Sequence, residues 1–253
     1  MSAIKSEHLG ASVMPSPNHG ERADGRVPDM ILLHYTGMGT ADQALSWLCN
    51  PESQVSSHYF VRENGAIFQL VPEARRAWHA GKSFWGGEVD TNSRSIGIEI
   101  ANVGHPGGLP PYPNAQIEAV IGLCRDLAGR WSIQPHHILG HSDVAPVRKV
   151  DPGERFPWAR LHAAGIGHWV EPTPISGGRF FQRGDSGQPV EALQSMLALY
   201  GYGIEITGEF CEKTQGVVEA FQRHFRPERI DGIADMSTID TLHRLLTSLP
   251  AYA

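Results

Sequence analysis

Ser95-Ile-Gly-Ile-Glu-Ile-Ala101 is the stretch on which the fold turns. Ile96, Ile98 and Ile100 repeat with a period of two and share one face of an extended strand, while Glu99 points the other way. Upstream, Met30-Ile-Leu-Leu-His34 is a second apolar strand, ending on an imidazole. Residues 57–63 and 66–71 are strand-like runs joined by Asn64-Gly65, a strong hairpin signal. Helical patterns alternate with these strands. Thr40 reads as an N-cap for a helix through Leu48, with Ala44, Leu45 and Leu48 on one face. Asn114 reads as the cap of a long helix carrying Ile117, Val120, Ile121, Cys124, Leu127 and Trp131 at helical spacing. This order predicts an α/β domain over residues 29–170, a mixed central sheet flanked by helices.

The chain on either side has a different texture. Residues 1–28 are polar and rich in Gly and Pro, and read as a flexible arm. Residues 171–179, beginning Glu171-Pro-Thr-Pro, are a linker by composition. Beyond it, Pro189 starts a helix with Val190, Leu193, Leu197 and Tyr200 as its stripe and Gly201 as its stop. Further helices are predicted near 212–225 and 237–249, the last with Ser237 and Asp240 as a capping box. Gly208 and Thr214 recur as Gly232 and Thr238 at the same offset, a turn-then-helix repeat. Residues 180–253 are therefore expected to form a small three-helix domain.

Composition narrows the function. The 253 residues carry 21 Lys and Arg against 27 Asp and Glu, a net charge of −6. Nucleic acid and anionic membranes are poor partners for such a chain. No apolar run approaches the ~20 residues of a membrane helix. The first ten residues lack the apolar stretch of an export signal. With three cysteines at no motif spacing, that points to the cytoplasm rather than to a disulfide framework. Thirteen histidines direct attention to sites built from imidazole and carboxylate.

Four positions carry candidate chemistry. His34 ends a strand and is either an ordinary surface or core histidine or a ligand at a sheet edge. His141 follows His136-His137-Ile-Leu-Gly140, another short strand. Asp151, before Pro-Gly, is a turn residue by default. Taken together, two imidazoles and one carboxylate fill three of four tetrahedral zinc positions and leave one for water, the layout of a catalytic site. Glu99, a solvent-facing strand residue on the plain reading, would face that site as general acid and base. Lys149, otherwise a surface lysine, would reach a developing oxyanion. Cys124 belongs to a helix stripe and reads as core, not nucleophile.

The motifs His34-Tyr-Thr, Val55-Ser-Ser-His-Tyr59, Ala77-Trp-His-Ala-Gly81, Ser95-Ile-Gly-Ile-Glu-Ile100, Gly140-His-Ser-Asp143 and Arg148-Lys-Val-Asp-Pro-Gly153 stand in family order. They closely resemble the AmpD/AmiD-type N-acetylmuramoyl-L-alanine amidases, of the amidase-2 or peptidoglycan-recognition-protein-like fold, over roughly residues 30–169. The resemblance implies one Zn²⁺ per chain on His34, His141 and Asp151, Glu99 as catalytic acid/base and Lys149 stabilising the transition state. It implies a peptidoglycan or muropeptide substrate. Trp78 and His79 are expected to line the groove for the peptide stem. Tyr35, Asn102 and Arg94 are further candidate contacts, although strand alternation sends Tyr35 away from His34. His58 reads as a structural residue. Residues 182–246 resemble a peptidoglycan-binding helical module through Thr207-Gly-Glu-Phe210, Thr214 and Ala220-Phe-Gln222; packing against the first domain is the other reading. Such a module points outward, to the periplasm or to signal-independent export. Rival classes are a non-catalytic peptidoglycan-binding protein of the same fold and a cysteine hydrolase.

Overall fold

The computed structural model describes residues 6–249. In chain order its elements are β1 (Ser12–Val13), β2 (His19–Gly20), β3 (Met30–Tyr35), α1 (Ala41–Leu48), β4 (Tyr59–Val61), β5 (Ile67–Gln69) and β6 (Arg76–Ala77). The single turn α2 (Thr91–Arg94), β7 (Ser95–Ile100), α3 (Asn114–Trp131), β8 (Ile138–Gly140), α4 (His141–Val144) and α5 (Trp158–Ala163) follow. The chain ends with α6 (Gln188–Tyr200), α7 (Glu212–Phe225) and α8 (Met236–Thr247).

Six strands form one mixed sheet in the order β1-β5-β4-β7-β3-β8. β3 lies inside it with Met30, Ile31, Leu32 and Leu33 fully buried, as a parallel strand covered on both faces must be. β7 and β8 flank β3 in parallel, β4 runs parallel to β7, and β5 returns antiparallel. The return is the predicted hairpin: the Arg62 amide donates to the Ala66 carbonyl at 2.9 Å, and Gly65 takes φ +84°. That left-handed turn is open to glycine at no steric cost. The α/β reading is therefore the observed fold.

The two faces of the sheet are buried differently. Ile31, Leu33, Ile96, Ile98 and Ile100 pack with Ile117, Val120, Cys124 and Leu127 of α3. Met30, Leu32 and Leu139 belong instead to a cluster with Leu193, Leu197, Phe221, Phe225 and Leu242. The helices beyond the linker thus share their core with the sheet. Each such side chain removed from water contributes about 1.5–3 kcal/mol.

The expected flexible arm is packed over residues 6–28; residues 1–5 lie outside the described part. β1 pairs in parallel with β5. Arg22, only 6% exposed, donates to the carbonyls of Glu73, Asn92, Ser93 and Ser95 at 2.8–3.2 Å. A segment tied down by one buried guanidinium has no periodicity, so composition alone reads it as loose.

Two caps also differ. α3 starts on Asn114 with Pro113 at the cap position, and Asn114 accepts from Arg160 at 2.8 Å instead. α8 is capped by Asp235, whose carboxylate accepts from the Thr238 amide at 2.8 Å. Ser237 donates to the Thr173 carbonyl at 2.5 Å, and Asp240 accepts from the Thr173 hydroxyl, so both stitch the linker to α8.

The repeat has a physical basis. Gln194 accepts from the Thr207 and Gly208 amides, each at 2.9 Å, and donates to the Glu209 carbonyl and Thr214 Oγ1 at 2.9 and 3.0 Å. Gln222 makes the same four bonds to Asp231, Gly232, Ile233 and Thr238 at 3.0, 2.9, 2.9 and 3.3 Å. In each copy a buried amide closes the turn that launches the next helix.

Candidate metal centre

In the ladder between β3 and β7, His34 stands opposite Glu99, so both side chains leave the same face at the carboxyl ends of adjacent parallel strands. Ligands bind at such ends in open α/β sheets. β8 ends at Gly140 on the other side of β3, and His141 follows directly. The loop beyond returns Asp151, whose carbonyl accepts from the Ser142 amide at 2.9 Å. The three predicted ligands therefore meet. His34 Nδ1 and His141 Nδ1 are 2.9 Å apart, and each lies 3.1 and 3.0 Å, respectively, from Asp151 Oδ2. All three residues are buried.

The surrounding bonds decide where the ring protons sit. Ser95 Oγ donates to the Thr91 carbonyl at 2.6 Å, so it accepts from His79 Nε2 at 3.3 Å. His79 Nδ1 is then an acceptor, and His34 Nε2 donates to it at 3.1 Å. His141 Nε2 donates to the Ala80 carbonyl at 3.0 Å. Arg148 Nη2, 3.3 Å from the same nitrogen, directs its hydrogens to the Ala80 and Lys82 carbonyls at 2.6 and 2.7 Å. Both Nδ1 atoms are left with bare lone pairs facing each other and a carboxylate. Burial, then the neighbouring His141, lowers the His34 pKa to about 4, so a proton does not fill the gap at neutral pH. Three converging acceptors call for a cation. Tetrahedral zinc ligands at about 2.0–2.2 Å from the ion stand roughly 3.3 Å apart, close to the spacing here. The group fits a metal.

Glu99 completes the centre from β7. Its Oε2 is buried without a hydrogen-bond partner. Burial raises its pKa well above the ordinary value, the Asp151 charge adds to the rise, and Lys149 opposes it. A strongly raised carboxyl pKa in a cleft is the mark of a candidate general acid and base. Lys149 lines the same cleft, about 480 Å³ in volume, together with His34, Glu99, His141 and Asp151. Among the described residues no carboxylate pairs with its ammonium.

The other candidates divide. Trp78 and Tyr35 line the cleft. Alternation would send Tyr35 to the opposite face, but it is the last residue of β3 and its hydroxyl swings to the rim, 3.0 Å from His105 Nδ1. His79 touches the cleft, although its nitrogens are engaged by His34 and Ser95, which makes it the orienting partner of His34. Asn102 is not on the cleft: its amide donates to the Pro110 carbonyl at 3.0 Å and accepts from the Gly104 amide at 2.8 Å. Arg94 is spent on Asp29 at 2.7 Å. Both sit beside β7 in sequence, and adjacency says nothing about where a side chain finds its partner. His58 is structural, accepting from the Gly97 amide at 2.9 Å. Cys124 is fully buried with its pKa pushed up to about 12, and a thiol so held is no nucleophile.

Sequence reading missed the relay through Ser95 and Thr91, and the Ala80 carbonyl. Only Gly97 signalled it, as a glycine inside an apolar strand where another group approaches closely.

Residues 24–154 match the family described as N-acetylmuramoyl-L-alanine amidase, and residues 186–242 one described as putative peptidoglycan binding domain. The chain is 39% identical to the N-acetylmuramoyl-L-alanine amidase AmiD of Escherichia coli over 83% of its length and 79% of that protein's. Among solved structures, the E. coli AmiD complex with the substrate anhydro-N-acetylmuramic acid-L-Ala-D-γ-Glu-L-Lys superposes with a TM-score of 0.74 at 37% identity. That match covers 89% of this chain and 92% of the other. AmpDh3 of Pseudomonas aeruginosa matches with a TM-score of 0.72 at 28% identity, over 98% of this chain and 100% of the other.

Proposed function

This chain belongs to the N-acetylmuramoyl-L-alanine amidase family, and from that premise we propose that it is a zinc amidohydrolase acting on anhydromuropeptides. The substrate class is that of the E. coli relative, an N-acetylmuramic acid in anhydro form joined through its lactyl carbonyl to an L-Ala-led peptide. The observation that carries the reading is the convergence of three bare donor atoms, on His34, His141 and Asp151, beside Glu99 Oε2, which is buried with no hydrogen-bond partner among the described residues.

His34, His141 and Asp151 would hold one zinc ion, which when bound polarises the scissile carbonyl and lowers the pKa of water from 15.7 to roughly 7. Glu99 takes the proton of the attacking water on its unpartnered Oε2. The attack forms the C–O bond; Glu99 then delivers that proton to the departing L-alanine nitrogen, and the C–N bond breaks as the carbonyl re-forms. The Lys149 ammonium donates to the carbonyl oxygen as negative charge gathers there. Tyr35 and Trp78 wall the cleft and orient the muropeptide. No described helix is long and apolar enough to cross a membrane. We propose the cytoplasm as the enzyme's compartment, with the periplasm as the alternative to which the peptidoglycan-binding-like module points.

The test is incubation of the purified chain with anhydro-N-acetylmuramyl tripeptide, with and without chelator, followed by mass analysis. Release of the intact tripeptide, abolished by chelation and restored by zinc, is the expected result. Binding without release would make the chain a receptor of the same fold, and release indifferent to chelation would remove the metal.

A further inference from the structure

Asp143, two residues beyond His141, is a carboxylate with no solvent exposure. Three donors hold it: the Gly140 amide on Oδ2 at 2.8 Å, the Tyr202 hydroxyl on Oδ1 at 2.8 Å and His224 Nδ1 on Oδ2 at 2.7 Å. The first belongs to the loop that carries His141. The other two come from the helical module beyond the linker. Both are fixed in turn. The His224 ring stacks on Trp158 at 3.7 Å and on Phe225 at 3.8 Å, and Tyr202 meets Trp85 edge-on at 5.0 Å.

The same loop leans on the module at two further points. Val147 has φ +70°, a left-handed conformation that a β-branched residue adopts only when its surroundings hold it there. Val147 is 65% exposed but touches α7 at Gly216, where a Cβ would lie 2.2 Å from Val147 Cγ2. Just beyond Asp151, the Glu154 carboxylate lies 3.8 Å from Arg223 of α7 and 3.1 Å from His105. Start, crest and end of the segment that carries His141, Lys149 and Asp151 all rest on the module.

We propose that Tyr202 and His224 are positioning residues for the metal centre: by holding Asp143 they fix the Gly140 amide and the one-turn helix from which His141 projects. The module matched as a peptidoglycan-binding domain is then a structural support of the segment that carries His141 and Asp151, whatever else it binds. The inference rests on the reading of His34, His141 and Asp151 as zinc ligands. Partners that orient a ligand typically cost 10–100-fold in metal affinity when removed.

Three full-length variants test it: Tyr202→Phe, which removes one hydroxyl; His224→Leu, which removes the imidazole donor; and His224→Asn, which restores a donor near the Nδ1 position. Two quantities are read, the zinc dissociation constant by competition with a chromophoric chelator and amide hydrogen exchange over residues 140–153. The expected result is zinc weakened about 10–100-fold in Tyr202→Phe and His224→Leu, at native far-ultraviolet circular dichroism. Exchange should be faster over 140–153, and His224→Asn should recover most of both. Zinc affinity within twofold of the parent, with exchange unchanged, would overturn the proposal. Should His224→Leu fail to fold, Tyr202→Phe decides. Should the parent bind no zinc, the reading of the ligands falls, and exchange alone decides whether the module orders the loop.

Discussion

Gly97→Ala probes how the fold orients its metal ligands. Gly97 lies on β7 beneath the His79 ring, and a Cβ there would stand 2.5 Å from both Cγ and Cδ2. The backbone tolerates alanine, since Gly97 is not among the positive-φ glycines; the obstacle is volume. The ring cannot slide freely, because Nδ1 is bonded to His34 at 3.1 Å and Nε2 to Ser95 at 3.3 Å. Restoring ordinary contact moves the ring by about 1 Å, which breaks at least one of these bonds. Overpacking of this kind costs about 1–3 kcal/mol, equivalent to a fall in Tm of roughly 2–12 °C for a chain of this size. Loss of the bond to His34 releases its tautomer and should weaken zinc by about 10–100-fold. Chelator competition and thermal melts of the purified chain measure both. In a His79→Ala background the obstacle is gone, and Gly97→Ala should be nearly silent. Equal penalties in both backgrounds, or zinc affinity within twofold of the parent, would refute the reasoning.

Glu99→Gln should keep zinc while lowering kcat by about 10²–10⁴-fold, measured on the anhydromuropeptide. The Glu99 pKa is raised by folding, so its stabilising contribution is complete at low pH and lost as pH rises through the folded value. Zinc-free Glu99→Gln should accordingly melt higher than the parent at pH 8 and show little difference at pH 4. Lys149→Ala should lower kcat by about 10²–10³-fold with zinc content unchanged, as expected of a group that acts on developing charge. His58, buried and beside Arg22, has its pKa lowered to about 3, first by burial. A depressed histidine gives stability that is complete above the unfolded value near 6.5 and lost as pH falls below it. Denaturant titrations at pH 7 and pH 5 should show about 2 kcal/mol less loss in His58→Gln than in the parent.

Much of the fold was legible because its signals are local. β3 and β7 announce themselves by apolar runs, the hairpin by Asn64-Gly65, and α1 by Thr40, whose hydroxyl accepts from the Gln43 amide at 3.2 Å. Reading His34 and Glu99 as facing one site also needed only alternation, and the ladder aligns them. Features that depend on distant partners were not legible. Arg22 holds the N-terminal segment through carbonyls as far away as Ser95. Asn102 and Ser237 find partners that no spacing rule names. The closure of the Met30, Leu32 and Leu139 face by α6, α7 and α8 is likewise a long-range event. The amphipathic stripes of those helices specify that something apolar is covered, not what.

The most direct test of the account is X-ray absorption at the zinc edge on the purified, zinc-loaded chain. It predicts one zinc per chain in a shell of nitrogen and oxygen donors at about 2.0–2.2 Å, two of them imidazoles, with one imidazole lost in His141→Ala. A shell containing sulfur at about 2.3 Å, or a chain that takes up no zinc while still releasing peptide, would contradict it.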